Sequence, residues 1–220
     1  MHYIFSILPD ILSGLNITVG LFFLTLIGAT PLGILMALGM RSQFFVLRWL
    51  LNAYVWVIRG TPLMLQLMFV YFGLPIASNN EIVFPKMTAA VVVFILNYSG
   101  YFAEIFRGGI QAIPQAQYDA AGVLGINRRQ TFQKIILPQV FNIVLPSFGN
   151  EIINLIKDTS LGYVISLVDI LYIAQGHAVA DVTLLPYVIV AAIYLIFTAL
   201  ATLIMKRIEL NLIIGSGNSA

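Results

Sequence analysis

The sequence predicts an all-α, multi-pass membrane protein with about five transmembrane helices. Of its 220 residues, 60% are hydrophobic and only 9% are charged, whereas a soluble domain carries about 25% charged residues. Five stretches of about twenty residues or more contain few charges, which is the length that a helix needs to cross a hydrocarbon core roughly 30 Å thick. The bilayer is therefore the solvent in which this chain must fold.

Hydropathy places the spans within one transmembrane domain that covers residues 1–220. Their approximate bounds are 11–40, 50–74, 87–106, 145–172 and 185–205. The fourth stretch is too long for one crossing. Two crossings there, with a break near Gly162, would make six spans and would move the C-terminus to the other side of the membrane.

Charge distinguishes these two topologies, because Lys and Arg collect in cytoplasmic loops. With five spans, one side receives Arg41, Arg48, Arg107, Arg128, Arg129, Lys134, Lys206 and Arg207. We therefore predict five spans, with the N-terminus outside and the C-terminus in the cytoplasm. The residues after Thr159 that exceed one crossing are then predicted to form an interfacial or re-entrant helix bearing Asp169. Such a helix is tolerated where the backbone lines a cavity or is buried in protein.

Span one carries small residues at four-residue intervals, at Ala29, Gly33 and Ala37. Such a ridge predicts that another helix approaches this span closely.

The large polar loop between spans three and four, residues 107–138, is predicted to contain two short helices. The first covers residues 115–124, and Gly125 suits its C-cap. Asn127 can cap the second helix, with Gln130 in the position of a capping box. Pro138 lies just beyond the apolar end of that second helix.

This loop also carries a spaced motif: Asp119-Ala120-Ala121, three residues, Gly125, nine residues, Ile135, one residue, Leu137-Pro138. The motif resembles the cytoplasmic loop of permease subunits of ABC importers. That family usually begins the motif with Glu, so Asp119 keeps the charge on a shorter side chain. Four more segments resemble the polar amino acid branch of the family: Arg59-Gly60-Thr61-Pro62, Glu104-Ile105-Phe106-Arg107-Gly108-Gly109, Gly149-Asn150-Glu151 and Lys157-Asp158-Thr159-Ser160-Leu161. The resemblance covers about residues 10 to 210.

The resemblance implies a multi-pass subunit of the cytoplasmic (inner) membrane and a set of partners. The helical loop would sit in a cleft of an ATP-binding ABC ATPase subunit and transmit its closure to the spans. A second permease subunit, identical or related, would complete the path by two-fold symmetry, and a separate amino-acid-binding protein would deliver substrate from outside. The residues implied in coupling to the ATPase are Asp119, Ala120, Ala121, Gly125, Ile135, Leu137 and Pro138.

The chain itself is expected to be neither an enzyme nor a cofactor protein. It contains no phosphate loop of the Gly-x-x-x-x-Gly-Lys-Ser/Thr type, so ATP is expected to be used by a partner subunit. It has no cysteine and only two histidines, which lie far apart in sequence, so no metal site is expected. The net charge of +2, with its basic residues scattered, does not suggest a nucleic-acid partner.

Polar residues at membrane depth are candidates for function, because they are costly there and usually face a bundle interior or a wet pathway. Glu151, Asn154 and Asp158 are three and four residues apart and therefore share one face of span four. We expect these residues, together with Asn97 in span three, to contact the substrate. The alternative for Asn97 is a hydrogen bond to a neighbouring helix, and the alternative for the two carboxylates is contact between subunits.

A second group, formed by Arg59, Thr61, Pro62 and Glu104, is predicted to be structural or to act in gating. Thr61 and Pro62 should distort the second span. Arg59 is expected to pair with Glu104 or with free carbonyl groups, because charges within membranes commonly pair with one another.

The expected function is the translocation of a polar amino acid into the cytoplasm as the permease subunit of an ABC importer. An ion-gradient-driven secondary transporter is the first alternative, but it would have broken helices in repeated halves, and the sequence shows no such repeat. A membrane scaffold is the second, and it has no need of acidic residues at membrane depth. The sequence leaves the transported amino acid open, with Glu151 the better candidate than Asp158 for selecting it.

Overall fold

The computed structural model describes the backbone of residues 2–217 and the side chains of residues 3–212. Every regular element in that part of the chain is helical, so the predicted all-α fold is confirmed. The α-helices are α1 (His2–Ser13), α2 (Leu15–Gly39), α3 (Phe45–Gly60), α4 (Leu63–Met68), α5 (Leu74–Ala77), α6 (Lys86–Gln111), α7 (Gln115–Val123), α8 (Arg128–Gln130), α9 (Leu137–Asp158), α10 (Ile170–Ala180) and α11 (Leu185–Gly217). Wide π-helical turns occupy Phe69–Gly73 and Thr131–Ile136, and a tight 3₁₀ segment occupies Thr159–Ile165.

Three helical segments are long and apolar enough to cross a membrane, namely Tyr3–Gly39, Lys86–Gln111 and Leu185–Leu212. Two further segments are bent pairs: Phe45–Gly60 meets Leu63–Ala77 at 103°, and Arg128–Ile165 meets Ile170–Ala180 at 56°. Counting each bent pair as one span gives five. The multi-pass membrane fold is therefore confirmed.

The core of the domain is the contact between α2 and α6, and the small-residue ridge of α2 makes it possible. Ala29 and Ala37 are completely buried. A Cβ atom on Gly33 would lie 2.6 Å from Cβ of Phe102 and 3.1 Å from the carbonyl oxygen of Ser99. The two helix backbones thus approach as closely as the ridge predicts.

The N-terminal helix α1 and the C-terminal part of α11 lie at opposite ends of the helical bundle, as an odd number of spans requires. At one end, the Tyr3 hydroxyl donates to Oδ2 of Asp181 at 2.6 Å, and Nε2 of His177 lies 3.3 Å from Oδ2 of Asp10. At the other end, residues 133–145 and residues 208–212 line a common cavity. The C-terminal part of α11 therefore lies beside the segment that enters α9, and both lie opposite α1.

The first helix of the polar loop has the C-terminal cap that its sequence predicts. Gly125 adopts a φ of 72°, which glycine tolerates without strain. The Ile126 amide then donates to the Ala121 carbonyl oxygen at 3.0 Å, which satisfies a carbonyl that the end of a helix leaves free.

The second helix of the loop begins as predicted but does not end before Pro138. The side chain of Asn127 accepts a hydrogen bond from the Gln130 amide at 2.9 Å, which confirms it as an N-cap. From there the helical path continues through Thr131–Ile136 into α9. The wide π-helical turn accommodates a proline that lacks an N–H and whose ring crowds the preceding turn.

The fourth span therefore differs from the stretch 145–172 expected for it. Its helix, α9, begins at Leu137 and ends at Asp158. After the 3₁₀ segment, Asp169 caps α10 rather than lying within a helix: its side chain is completely buried, and its Oδ1 accepts a hydrogen bond from the Tyr172 amide at 2.8 Å. The α-helix passes into the 3₁₀ segment after Asp158, and the span changes direction between Ile165 and Ile170.

Candidate functional site

The polar stripe of α9 lies at the end of a transmembrane helix, directly before the 3₁₀ segment. Glu151, Asn154 and Asp158 are each half-buried, and they share one face because they recur at three and four residues. Leu155, one turn after Glu151, and Ile156 are buried. The stripe therefore lies at the border of the apolar packing of α9.

One contact ties this stripe to the core helix α6. The Tyr98 hydroxyl donates a hydrogen bond to Oδ2 of Asp158 at 2.7 Å. Tyr98 itself is buried, with 2% of its surface exposed. One strong donor therefore holds Oδ2 of Asp158, and no side chain in the described part of the protein donates to its other oxygen.

A second break, between α3 and α4, lies close to this region. Pro62 supplies no N–H, and the Thr61 hydroxyl donates to the Val57 carbonyl oxygen at 2.9 Å. The Gln66 side-chain amide donates to the Ile58 carbonyl oxygen at 2.9 Å and to the Thr61 hydroxyl oxygen at 2.7 Å. Side chains thus satisfy backbone groups that the break exposes, as irregular backbone at membrane depth requires.

Asn97, on α6, contacts the helix that follows this break. Its side chain is buried, with 3% exposed, and its Nδ2 donates to Oε1 of Gln66 at 3.0 Å. Asn97 therefore makes the contact between helices that the sequence left open as the alternative to substrate contact. Sequence reasoning missed Gln66, although an amide within an otherwise apolar helix was the signal that could have found it.

Among the described residues, Arg59 makes neither of the two pairings expected for it, with Glu104 or with a free carbonyl group. Nε of Arg107 donates to Oε2 of Glu104 at 3.0 Å instead. Arg107 lies one turn away on the same helix, so this pair forms without bringing two helices together. The guanidinium carbon of Arg59 lies 5.3 Å from the ring centroid of Tyr101, where a cation is attracted by the ring face.

The residues of the coupling motif differ in their exposure to solvent. Ala121 is buried, with 2% exposed, and Asp119, Ala120, Gly125 and Pro138 are exposed. Ile135 and Leu137 are half-buried.

Two large apolar side chains near this motif are also exposed. Val123 is 89% exposed and Leu124 is 76% exposed, both at the end of α7. Sequence reasoning missed these residues, although apolar side chains in a polar loop indicate a contact surface.

Known proteins match this chain in sequence and in fold. The family described as binding-protein-dependent transport system inner membrane component matches residues 29–213. The arginine transport system permease protein ArtQ of Bacillus subtilis is 38% identical, over 93% of this chain and 93% of its own length. The glutamine transport system permease protein GlnP of Escherichia coli is 34% identical, over 94% of each chain.

Solved structures give the same result. A crystal structure of an amino acid ABC transporter with histidines has a chain that superposes with a TM-score of 0.87 at 33% identity, covering 95% of this chain and 97% of its own. A methionine ABC transporter, MetNI, shares the fold, with a TM-score of 0.72 at 16% identity. The matched relatives are transport permeases and not enzymes, as predicted. This chain therefore belongs to the binding-protein-dependent transport system inner membrane components, the permease subunits of ABC importers.

Proposed function

We propose that this permease carries a polar amino acid into the cytoplasm and that the acidic stripe of α9 binds it on the way. The observation that carries the proposal is the pair of half-buried carboxylates, Glu151 and Asp158, at the end of α9, directly before the 3₁₀ segment of the fourth span. A desolvated carboxylate needs a cation or strong donors, and every amino acid brings an ammonium group. Relatives named for arginine, cystine and glutamine transport support a polar amino acid as the cargo.

The proposed assembly contains two permease subunits, two cytoplasmic ATPase subunits and an external amino-acid-binding protein. The stripe is half-buried within one chain, and a second copy or a related permease would close the path. The exposed surface of Ala120, Val123 and Leu124 on α7 is the proposed contact with the ATPase. In this assembly, the N-terminus lies outside and the C-terminus lies in the cytoplasm.

Reconstitution into vesicles tests the proposed function. The permease, its partner ATPase and the binding protein are incorporated, and uptake of labelled arginine and glutamine is measured with ATP on the ATPase side. Uptake of at least one of them should require ATP and should survive ionophores that collapse ion gradients. Uptake that follows an ion gradient without ATP would identify a secondary transporter instead.

Coupling to the ATPase should fail when a charge is placed on the exposed face of α7. Ala120→Arg is expected to reduce ATP-driven uptake by at least about tenfold, because an unpaired charge buried in an interface costs several kcal/mol. The measurement is uptake in vesicles, together with co-purification of the ATPase.

Gly122→Arg is the matched control for this variant. Gly122 lies on the opposite side of α7, and a Cβ atom there would meet no atom within 4 Å. Normal uptake and normal co-purification of the ATPase in Ala120→Arg would rule out this face as the contact.

The orientation can be measured by thiol labelling, because the chain has no cysteine of its own. We expect a membrane-impermeant reagent applied outside to label Glu81→Cys but neither Gln130→Cys nor Arg207→Cys. All three positions are exposed. Labelling of both Glu81→Cys and Arg207→Cys from outside would support six spans, whereas labelling of both Gln130→Cys and Arg207→Cys, without Glu81→Cys, would invert the topology.

A further inference from the structure

An open cavity of about 680 Å³, with both polar and apolar residues in its lining, lies between α3 and α6. Its lining includes Trp56, Arg59, Tyr101 and Glu104. The volume is within the range of about 300–1,000 Å³ typical of small-molecule sites. A Cβ atom on Gly60, at the edge of the cavity, would meet no atom within 4 Å, so there is open space beside Arg59.

Arg59 brings a positive charge to this cavity without an anionic partner. Within the described residues, its guanidinium forms neither a salt bridge nor a hydrogen bond, although it carries five N–H donors. Its contact with the Tyr101 ring involves the charge but none of the donors. The neighbouring carboxylate, that of Glu104, is already bound by Arg107.

Two tyrosine side chains connect the cavity with the acidic stripe. The ring centroids of Tyr101 and Tyr98 lie 6.2 Å apart on α6, and the Tyr98 hydroxyl holds Asp158. The charge of Arg59 also lies within Coulombic range of Glu151. Two tyrosines therefore form a row with a cation at one end and a carboxylate at the other.

We propose that Arg59 binds the α-carboxylate of the amino acid in transit. A planar guanidinium matches a carboxylate with two parallel hydrogen bonds, and Glu151, which interacts with the charge of Arg59, takes the ammonium group that the same carbon atom carries. The proposal rests on the proposed function, and it adds a residue that recognises the α-carboxylate, which all amino acids share. An amine that lacks the carboxylate would leave the Arg59 donors unpaired.

Equilibrium binding to the purified permease and ATPase complex, without the binding protein, tests this role. The probes are arginine with agmatine, and glutamine with 4-aminobutanamide, so that each amino acid is compared with the amine that lacks its carboxylate. Arg59→Gln should weaken binding of the amino acid by about ten- to a hundredfold, the loss expected for a charge-assisted bond. Binding of the amine should change by less than about threefold.

Two variants separate a direct contact from a general charge effect. Lys157→Gln removes another positive charge near Glu151 and should affect the amino acid and the amine alike. Arg59→Lys keeps the charge without the planar fork and should recover part of the binding. The melting temperature and the size of each complex are measured alongside.

Three results would overturn the inference: unchanged amino acid binding in Arg59→Gln, equal losses for amino acid and amine, or a loss explained by dissociation of the complex. Wild-type binding of amino acid no tighter than amine would overturn it as well. ATP-driven uptake by the wild-type complex is scored separately. Its absence would count against the proposed function, whereas its presence with any of these results would count against the role of Arg59 alone.

Discussion

Asp158→Asn is expected to reduce ATP-driven amino acid uptake by about ten- to a hundredfold. The substitution removes the negative charge but keeps an oxygen that can accept the hydrogen bond from Tyr98, so the fold should persist. Hydrogen bonds to charged groups contribute about 1.5–3 kcal/mol, and each 1.4 kcal/mol corresponds to about tenfold. Uptake in reconstituted vesicles, with melting temperature as the check on folding, measures the effect.

Glu151→Gln should act on selectivity as well as on rate. Glu151 lies two turns before Asp158 on the same face of α9, so it can meet a second cationic group on a basic amino acid. We expect Glu151→Gln to weaken uptake of arginine more than uptake of glutamine.

Asp10→Asn makes the same chemical change at the outer end of the bundle, where Asp10 contacts His177, and should leave uptake near wild type. Normal transport of every tested amino acid by both stripe variants would show that the stripe only holds helices or subunits together.

Gly33→Ala is expected to destabilise the domain by about 1–3 kcal/mol, the usual cost of overpacking a core. The added Cβ would lie 2.6 Å from Cβ of Phe102 and 3.2 Å from the amide nitrogen of Ala103. Neither of these atoms lies at the end of a flexible side chain, so α2 and α6 must move apart. Thermal unfolding in a mild detergent, followed by size-exclusion chromatography, measures the loss.

Gly108→Ala is the matched control on α6. A Cβ atom there would meet no atom within 4 Å, and alanine favours a helix over glycine by about 1 kcal/mol. The two identical substitutions should therefore shift the melting temperature in opposite directions. Equal melting temperatures for the two variants would contradict the close packing of α2 on α6.

The fold class and the helix caps were predictable because they depend on local pattern. Long apolar runs identify membrane spans wherever they occur. Gly125 and Asn127 act within one turn of their own positions, so their neighbours in sequence suffice to assign them. The small-residue ridge at Gly33 is equally local, although its partner helix is not.

The partners of polar side chains were less predictable, because they depend on which helices meet. Asn97 bonds to Gln66, 31 positions away, and Glu104 bonds to Arg107 on its own helix rather than to Arg59. The continuation of the helix past Pro138 depends on a π-helical turn, whose sequence signal is weak. The packing of the chain determines each of these features, and the pattern of a single sequence does not reveal that packing.

The central claim is that the stripe of α9 faces an aqueous path occupied by the transported amino acid. Asn154, in the middle of the stripe and half-buried, is replaced by Cys in the chain, which has no other cysteine. Labelling of the assembled transporter by a membrane-impermeant thiol reagent is then followed with and without saturating arginine or glutamine. Leu195→Cys, at an apolar position of α11 that is 70% exposed, serves as the lipid-facing control. The account predicts that Asn154→Cys is labelled and is protected by a transported amino acid, whereas Leu195→Cys is not labelled. An unreactive Asn154→Cys with and without nucleotide, or labelling that no transported amino acid slows, would contradict the claim.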